Sequence, residues 1–446
     1  MASIESVFKA YDIRGRTDNG ELDEDLTRSV GAAFARWAGV EKIAVGFDCR
    51  LSSPALSDAM IDGITSQSVD VVRLGEVATD IVYFVSGAHE MPGVMITASH
   101  NPAGYNGIKL CRSGAAPVGT ESGLAEIKQM VIEGVEAGGG GGTVTDFDPV
   151  PSYVEHLLSI VDPDRVAALD VVVDGGNGMA GVALGDVFDR LDARLIGLYL
   201  EPDGTFPNHP ANPLEPENLT DVVASVIEHG ADLGVAFDGD ADRAFFIDDA
   251  GIPLSGSTTT ALIARWFLAR DPGATIVHNL ITSRAVPEVV REAGGVPVRT
   301  RVGHSYIKQI MAETGAVFGG EHSGHYYFAQ NYRADSGMLA MLVLLQVLSE
   351  SGRALSDLRT DVEPYAASGE INLSVDDKPA AIAAVIESFP DAEVSHLDGV
   401  TLEWPDRWFN LRPSNTEPFL RLNVEAGDLE TVWGLVRSVS AIVESS

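Results

Sequence analysis

Short apolar runs alternate along this chain with segments whose apolar residues recur at helical spacing. The runs at 42–46, 69–74 and 93–97 read as strands, and the segments 53–66 and 120–133 read as helices. Strand-like runs at 171–174, 195–198, 233–237 and 275–279 continue the series, with helical stretches between them. This alternation predicts α/β layers built on mixed or parallel sheets. The longest apolar run, 338–348, is shorter than the roughly 20 residues needed to cross a bilayer and reads as a buried helix. Beyond 364 the pattern becomes strand-rich and ends in a helix over 429–443.

Three breaks divide the pattern. A glycine run at 138–142, followed by Pro149 and Pro151, reads as a mobile loop and a boundary. A turn containing Asp248, Asp249 and Gly251 closes a second block, and a third break falls at Glu363 and Pro364. The length of 446 residues alone suggests roughly three domains. The breaks favour four: 1–148, 149–252, 253–363 and 364–446. The first three share a strand–helix rhythm.

Charge then narrows the function. Lys and Arg total 30 against 65 Asp and Glu, a net charge of −35. Nucleic acids and anionic membranes select a basic footprint, so neither is expected as a partner. Two cysteines exclude a disulfide scaffold and a cysteine-rich zinc site. Residues 1–14 hold no apolar signal core, and a cytoplasmic location is expected.

Four motifs carry candidate chemistry. Thr97-Ala98-Ser99-His100-Asn101-Pro102 follows a strand, which places Ser99 at a strand's carboxyl end, where α/β sites collect. A serine there carries a covalent group if it is activated, and Lys109 can return across the same turn. In isolation the segment reads more readily as a capped turn beside a surface lysine. Asp238, Asp240 and Asp242 alternate within a glycine-containing loop that ends in Arg243. Three hard oxygen donors suit Mg²⁺, and an adjacent arginine suits a phosphate oxygen; the bland alternative is a solvated acidic turn. Gly319-Gly320-Glu321-His322-Ser323-Gly324-His325 presents groups that bind vicinal hydroxyls, or only a satisfied glycine turn. Upstream, His304 is either a proton shuttle or a helix-start residue. Arg412-Pro413-Ser414-Asn415-Thr416-Glu417-Pro418, with Arg421 beyond, reads as a phosphate cradle or a capped turn. Tyr11-Asp12-Ile13-Arg14-Gly15 is weak by itself. One strong element per block points to a single site at the meeting of four domains.

In this order, these motifs resemble those of the α-D-phosphohexomutase family, phosphomannomutase/phosphoglucomutase branch, over essentially the whole chain. The resemblance implies an α/β protein of four domains around a central cleft, with the first three sharing a mixed-sheet topology and the last a smaller α+β domain. It implies a cytoplasmic isomerase, monomer or homodimer, that interconverts hexose 1-phosphate and hexose 6-phosphate. Ser99 would be the phosphoserine. Asp238, Asp240 and Asp242 would hold Mg²⁺ together with the Ser99 phosphate, and hexose 1,6-bisphosphate would be intermediate and activator. Arg14, Lys109 and Arg243 would surround the transferring phosphoryl group, with Lys109 and His304 as acid/base candidates. To act as a base, Lys109 would need a lowered pKa. Tyr11, Glu321, Ser323 and His325 would meet the sugar. Arg412, Ser414, Asn415, Thr416 and Arg421 would grip the non-reacting phosphate. A family lysine near 279–284 has no counterpart, and Arg284 is its candidate substitute. Phosphoglucosamine mutase, a metal-dependent phosphatase and a non-catalytic sugar-phosphate binder are the alternatives.

Overall fold

The computed structural model describes residues 4–136, 138–414 and 419–445. Four sheets organise them. The expected strands form, at Lys42–Phe47, Asp70–Glu76, Gly93–Ile96, Asp170–Asp174, Arg194–Leu198, Leu233–Phe237 and Thr275–Asn279. The segment 120–133 differs from expectation. A short 3-10 turn, Thr120–Ser122, gives way to a helix only at Leu124–Glu133, because Gly123 between them adopts φ 131. That backbone geometry belongs to glycine and cannot continue a helix.

One strand unit recurs three times. In the first sheet, Lys42–Phe47 pairs in parallel with Asp70–Glu76 on one side and Gly93–Ile96 on the other; Tyr105–Arg112 then runs antiparallel beside Gly93–Ile96. The second sheet repeats this with Asp170–Asp174, Arg194–Leu198, Leu233–Phe237 and antiparallel Ala244–Ile247. The third does so with Thr275–Asn279, Val296–Thr300, Phe318–Gly320 and antiparallel Tyr326–Phe328. Each spatial order is fourth, third, first, second. Helical crossovers join the parallel strands, as parallel pairing requires. The fourth sheet is wholly antiparallel, covered by helices Lys378–Ser388 and Leu429–Glu444 around its own core.

The glycine run is tied down. Gly138 and Gly142 donate backbone N–H groups to the carbonyls of Ser66 and Thr65, and Val144–Asp146 then extends the first sheet. The mobile-loop expectation overlooked these backbone partners, which lie far away in sequence.

A single apolar cluster spans the first three domains. At its centre lies the helix Gly337–Ser351, buried over most of its surface, as its largely apolar sequence predicts. Ser336 caps this helix by accepting from Leu339 N at 3.0 Å. The same hydroxyl donates to Asp80 at 2.7 Å, and Tyr153 also donates to that carboxylate, so Asp80 joins three domains. No helix among the described residues is long and apolar enough to cross a membrane.

Burial pushes the Asp80 carboxyl up to about 7 despite the hydrogen bonds from Tyr153 and Ser336. The folded state therefore keeps a proton that the unfolded carboxyl loses near its ordinary 3.8. Stability attached to this proton is present below that value and is lost as pH rises through about 7. The Asp80→Asn variant removes the charge and keeps an acceptor. Calorimetry should show its Tm, relative to wild type, rising by about 2 °C or more between pH 5 and pH 8; a difference independent of pH would contradict the assignment.

Candidate active site

In each repeated unit, the loop between the third and fourth strands carries one of the motifs, and the three loops meet. Ser99 follows Gly93–Ile96, Asp238–Arg243 follow Leu233–Phe237, and Glu321–His325 follow Phe318–Gly320. Ala244 N donates to Gly324 O at 3.3 Å, joining the second and third loops.

Ser99 sits at φ 52, a left-handed conformation uncommon outside glycine. Its N–H donates to Thr97 Oγ1 at 2.9 Å, and its Oγ donates to Asp238 Oδ2 at 2.8 Å. Arg243 donates Nε to the same carboxylate oxygen at 2.8 Å and Nη2 to Ser99 Oγ at 3.3 Å. Burial and the Arg243 charge depress His100 to about 2, so its Nδ1 is a neutral acceptor for Arg243. The serine hydroxyl thus lies between a carboxylate and a guanidinium, both buried.

Arg50, absent from the sequence-level candidates, holds this loop. It is 1% exposed and donates to the carbonyls of Ser99, Asn101, Pro102 and Tyr105 at 2.6–2.9 Å, while Asp48 balances its charge at 3.1 Å. Its one legible signal is the charged pair Asp48 and Arg50 directly after an apolar strand. Arg14 supports the same loop, donating to Asn101 Oδ1 and to Asp12, each at 2.6 Å.

Antiparallel pairing sets Lys109 opposite Met95. Its ammonium donates to Asp240 Oδ2 and Asp242 Oδ2, both at 2.6 Å. Burial lowers the lysine's proton affinity, but the two carboxylates outweigh it and hold the pKa well above the ordinary value. The lowered pKa that a lysine base would need is thus not found here: Asp240 and Asp242 hold the proton on Lys109. Thr79 adds a further hydrogen bond to Asp240 Oδ2, at 2.5 Å.

The three aspartates present oxygens within 4.8 Å of one another, all buried. Asp240 Oδ1 and Asp242 Oδ1 are buried without hydrogen-bond partners. Hard, dry, converging oxygens with unused lone pairs fit a divalent cation that keeps sites open for phosphate or water. Burial and then the charge of Asp240 push Asp242 up to about 6.

The third-domain residues form a second ring of contacts. His325 Nδ1 lies 2.9 Å from Asp335 Oδ2 and 3.8 Å from Asp242 Oδ1, and Lys308 pairs with Asp335 Oδ1 at 2.7 Å. Glu321 is buried and accepts from Tyr327 at 2.6 Å, Asn279 at 3.1 Å and Ser323 at 3.5 Å. His304 starts the helix His304–Thr314, with its ring 5.1 Å from that of Tyr11. Burial and then Lys308 depress His304 to about 3. The hydroxyl of Tyr11 donates to Val302 O at 3.4 Å.

The fourth-domain residues form their own group. Arg412 and Arg421 face each other across antiparallel strands and both pair with Glu370, at 2.8 and 3.4 Å. Lys378 donates to Ser414 O at 3.1 Å, a contact that the sequence did not advertise. Asn415 and Thr416 lie outside the described residues. Arg284 is directed elsewhere: its backbone N–H donates to Glu425, its guanidinium reaches Trp404 O at 3.4 Å, and the Tyr365 ring lies beneath it.

Comparison with known proteins shows the family of the chain. Family models described as phosphoglucomutase/phosphomannomutase alpha/beta/alpha domains I, II and III match residues 5–137, 151–251 and 255–365, and the C-terminal domain model matches 370–440. Phosphohexose mutases of Xanthomonas campestris pv. campestris are 42% identical over 443 residues, covering 98% of each chain. A phosphomannomutase of Salmonella montevideo is 38% identical, covering 98% of this chain and 99% of its own. A crystal structure of a phosphoglucomutase/phosphomannomutase family protein from Burkholderia thailandensis superposes with a TM-score of 0.92 at 33% identity, covering 100% of this chain and 98% of its own.

A cation held in part by Asp242 would have to displace its proton, so affinity for Mn²⁺, read by electron paramagnetic resonance, should fall about tenfold per unit as pH drops below about 6. Asp242→Asn should weaken binding on the order of a hundredfold and flatten that pH dependence. Unchanged affinity in the variant would remove Asp242 from the ligand set.

Proposed function

The chain belongs to the phosphoglucomutase/phosphomannomutase family, and on that premise we propose that it interconverts hexose 1-phosphates and hexose 6-phosphates through a phosphoryl group carried on Ser99. The supporting observation is the Ser99 hydroxyl, set between Asp238 and Arg243 at the meeting of two domain loops. Pure binding of a sugar phosphate needs no serine so placed.

In the first half-reaction the Ser99 O–P bond breaks as a sugar hydroxyl oxygen bonds to phosphorus. The proton leaving that hydroxyl is balanced by the proton that returns to Ser99 Oγ. The product is a hexose 1,6-bisphosphate, which turns over so that its other phosphoryl group returns to Ser99. The same bisphosphate serves as activator by phosphorylating resting Ser99.

Such transfer depends on in-line placement and on neutralising charge over the phosphoryl oxygens. Arg243 and Lys109 bring cations to the serine side, and Arg14 fixes the turn through Asn101. Mg²⁺, held by Asp238, Asp240, Asp242 and the Ser99 phosphate, would add charge neutralisation there. Lys109, held cationic by two carboxylates, suits charge stabilisation. His304, neutral and a weak base because burial depresses it to about 3, would serve in proton transfer once an anionic phosphate beside it raises its proton affinity. Glu321 and Ser323 offer polar groups to the sugar, as do Tyr11 and His325. Arg412 and Arg421, with Ser414, Asn415 and Thr416, would hold the phosphate that is not reacting.

Phosphorus NMR with Mg²⁺ and a trace of glucose 1,6-bisphosphate should show mannose and glucose 1-phosphates converted to their 6-phosphates. Ser99→Ala should abolish conversion. Conversion of glucosamine 1-phosphate alone would reassign the sugar, and free phosphate without isomer would make the protein a phosphatase. Arg412→Ala should raise KM about 10- to 100-fold, the size of a lost charge-assisted contact to phosphate; an unchanged KM would remove Arg412 from phosphate binding.

A further inference from the structure

A turn of the second domain reaches across to the first and rests on the arginine that holds the Ser99 loop. Asp203 N donates to Asn177 O at 2.9 Å, and Asp203 Oδ1 accepts from Thr205 N and Oγ1 at 2.9 and 2.7 Å. Phe206 N then closes the turn onto Asp203 O at 2.9 Å. The turn is anchored at its base: Asn177 Nδ2 donates to Glu201 O at 2.9 Å and accepts at Oδ1 from Asn208 at 2.7 Å. His209 lies between Asp174 Oδ2 and Pro210 O at 3.0 and 2.9 Å.

Two features at the tip have no role in the architecture of the second domain itself. A Cβ on Gly204 would meet Cys49 O at 2.3 Å and Arg50 Cα at 2.6 Å, so the bare backbone is what lets the turn touch the first domain. Phe206 adopts φ 50, a costly conformation for a bulky side chain. In it, the ring lies 5.2 Å from the Arg50 guanidinium carbon. The N–H groups along the edges of that guanidinium are committed to the carbonyls of Ser99, Asn101, Pro102 and Tyr105.

We propose that the 203–206 turn is a positioning element for phosphoryl transfer: Phe206 fixes the Arg50 guanidinium plane, and Arg50 fixes Ser99. Neither residue touches substrate. The guanidinium's hydrogen bonds lie in its plane, and an aromatic ring over its face leaves them intact while restricting its tilt. The strained backbone at Phe206 and the left-handed backbone at Ser99 are thereby linked through one side chain. Docking of the second domain on the first sets the nucleophile's direction as well as bringing Asp238 to it. This rests on Ser99 as the phosphoryl carrier.

The test uses the full chain. Phosphorylation of Ser99 by glucose 1,6-bisphosphate with Mg²⁺ is followed by mass spectrometry, and amide exchange is measured over residues 97–105. Phe206→Leu keeps apolar bulk and removes the ring face; Phe206→Tyr keeps the ring. Leucine should slow phosphorylation about tenfold, within the range of a partly desolvated cation–π contact. It should also speed exchange in 97–105, leaving Tm and the KM for hexose phosphate near wild type, and tyrosine should restore both readouts. The proposal is overturned if leucine matches wild type in rate and exchange. It is equally overturned if tyrosine behaves like leucine, or if exchange rises throughout the second domain with a lower Tm. If wild-type Ser99 takes up no phosphoryl group, the mutase reading fails instead, and the exchange arm alone still decides whether Phe206 orders the loop.

Discussion

Three carboxylates buried within reach of one another set the terms for everything around them. Two unit charges about 4 Å apart repel by about 4 kcal/mol even at an effective dielectric of about 20. Asp238, Asp240 and Asp242 are 0–2% exposed, so water cannot relieve this. The protein supplies two cations from different directions: buried Arg243 on Asp238, and half-buried Lys109 between Asp240 and Asp242. Two cations against three anions leave the cluster short of neutrality. The unused oxygens of Asp240 and Asp242 mark where further positive charge is accommodated. An acidic cluster with unused, converging oxygens suits a divalent cation, and Arg243 and Lys109 already pair with its other oxygens.

Topology explains why these groups converge. The three α/β units share one strand order, and each places its chemistry in the turn from its third parallel strand into its antiparallel fourth. That turn lies at the carboxyl end of a parallel strand, where backbone groups and loop side chains are released from the sheet. Docking three such units through one apolar cluster brings equivalent turns face to face. Asp80, Tyr153 and Ser336 form a buried polar join between the same three units. The fourth domain brings the two arginines across a different sheet, and its contacts with the third domain include those of Arg284, Arg299, Asp398 and Tyr365.

What could be read in advance follows from this arrangement. The alternating aspartates were legible because three carboxylates lie within five residues, and Ser99 because it follows an apolar strand. Helix 120–133 was misread because apolar spacing continues across Gly123 while its backbone does not. Arg50, Thr79 and Phe206 left almost no trace. Their partners lie tens to hundreds of positions away, and each acts on backbone or on another side chain. Lys109 was legible as a position but not as a charge state, which depends on carboxylates more than 130 residues away. Local pattern identifies groups that do chemistry; it is nearly silent about groups that aim them.

The net charge of −35 sharpens the case of the fourth domain. An acidic surface repels a dianionic sugar phosphate, so recognition must come from cations shielded from that field. Arg412 and Arg421 are held side by side by antiparallel register, and Glu370 accepts from both. A carboxylate between two guanidiniums has the charge sign and oxygen geometry of a phosphate edge. The Nε of Arg412 is buried without a hydrogen-bond partner, so the fork has donor capacity that Glu370 does not use. A phosphate, with more charge and more acceptor oxygens, can satisfy that capacity and outcompete the carboxylate, whereas a neutral sugar cannot. Glu370 keeps the two guanidiniums side by side, each paired to the same carboxylate.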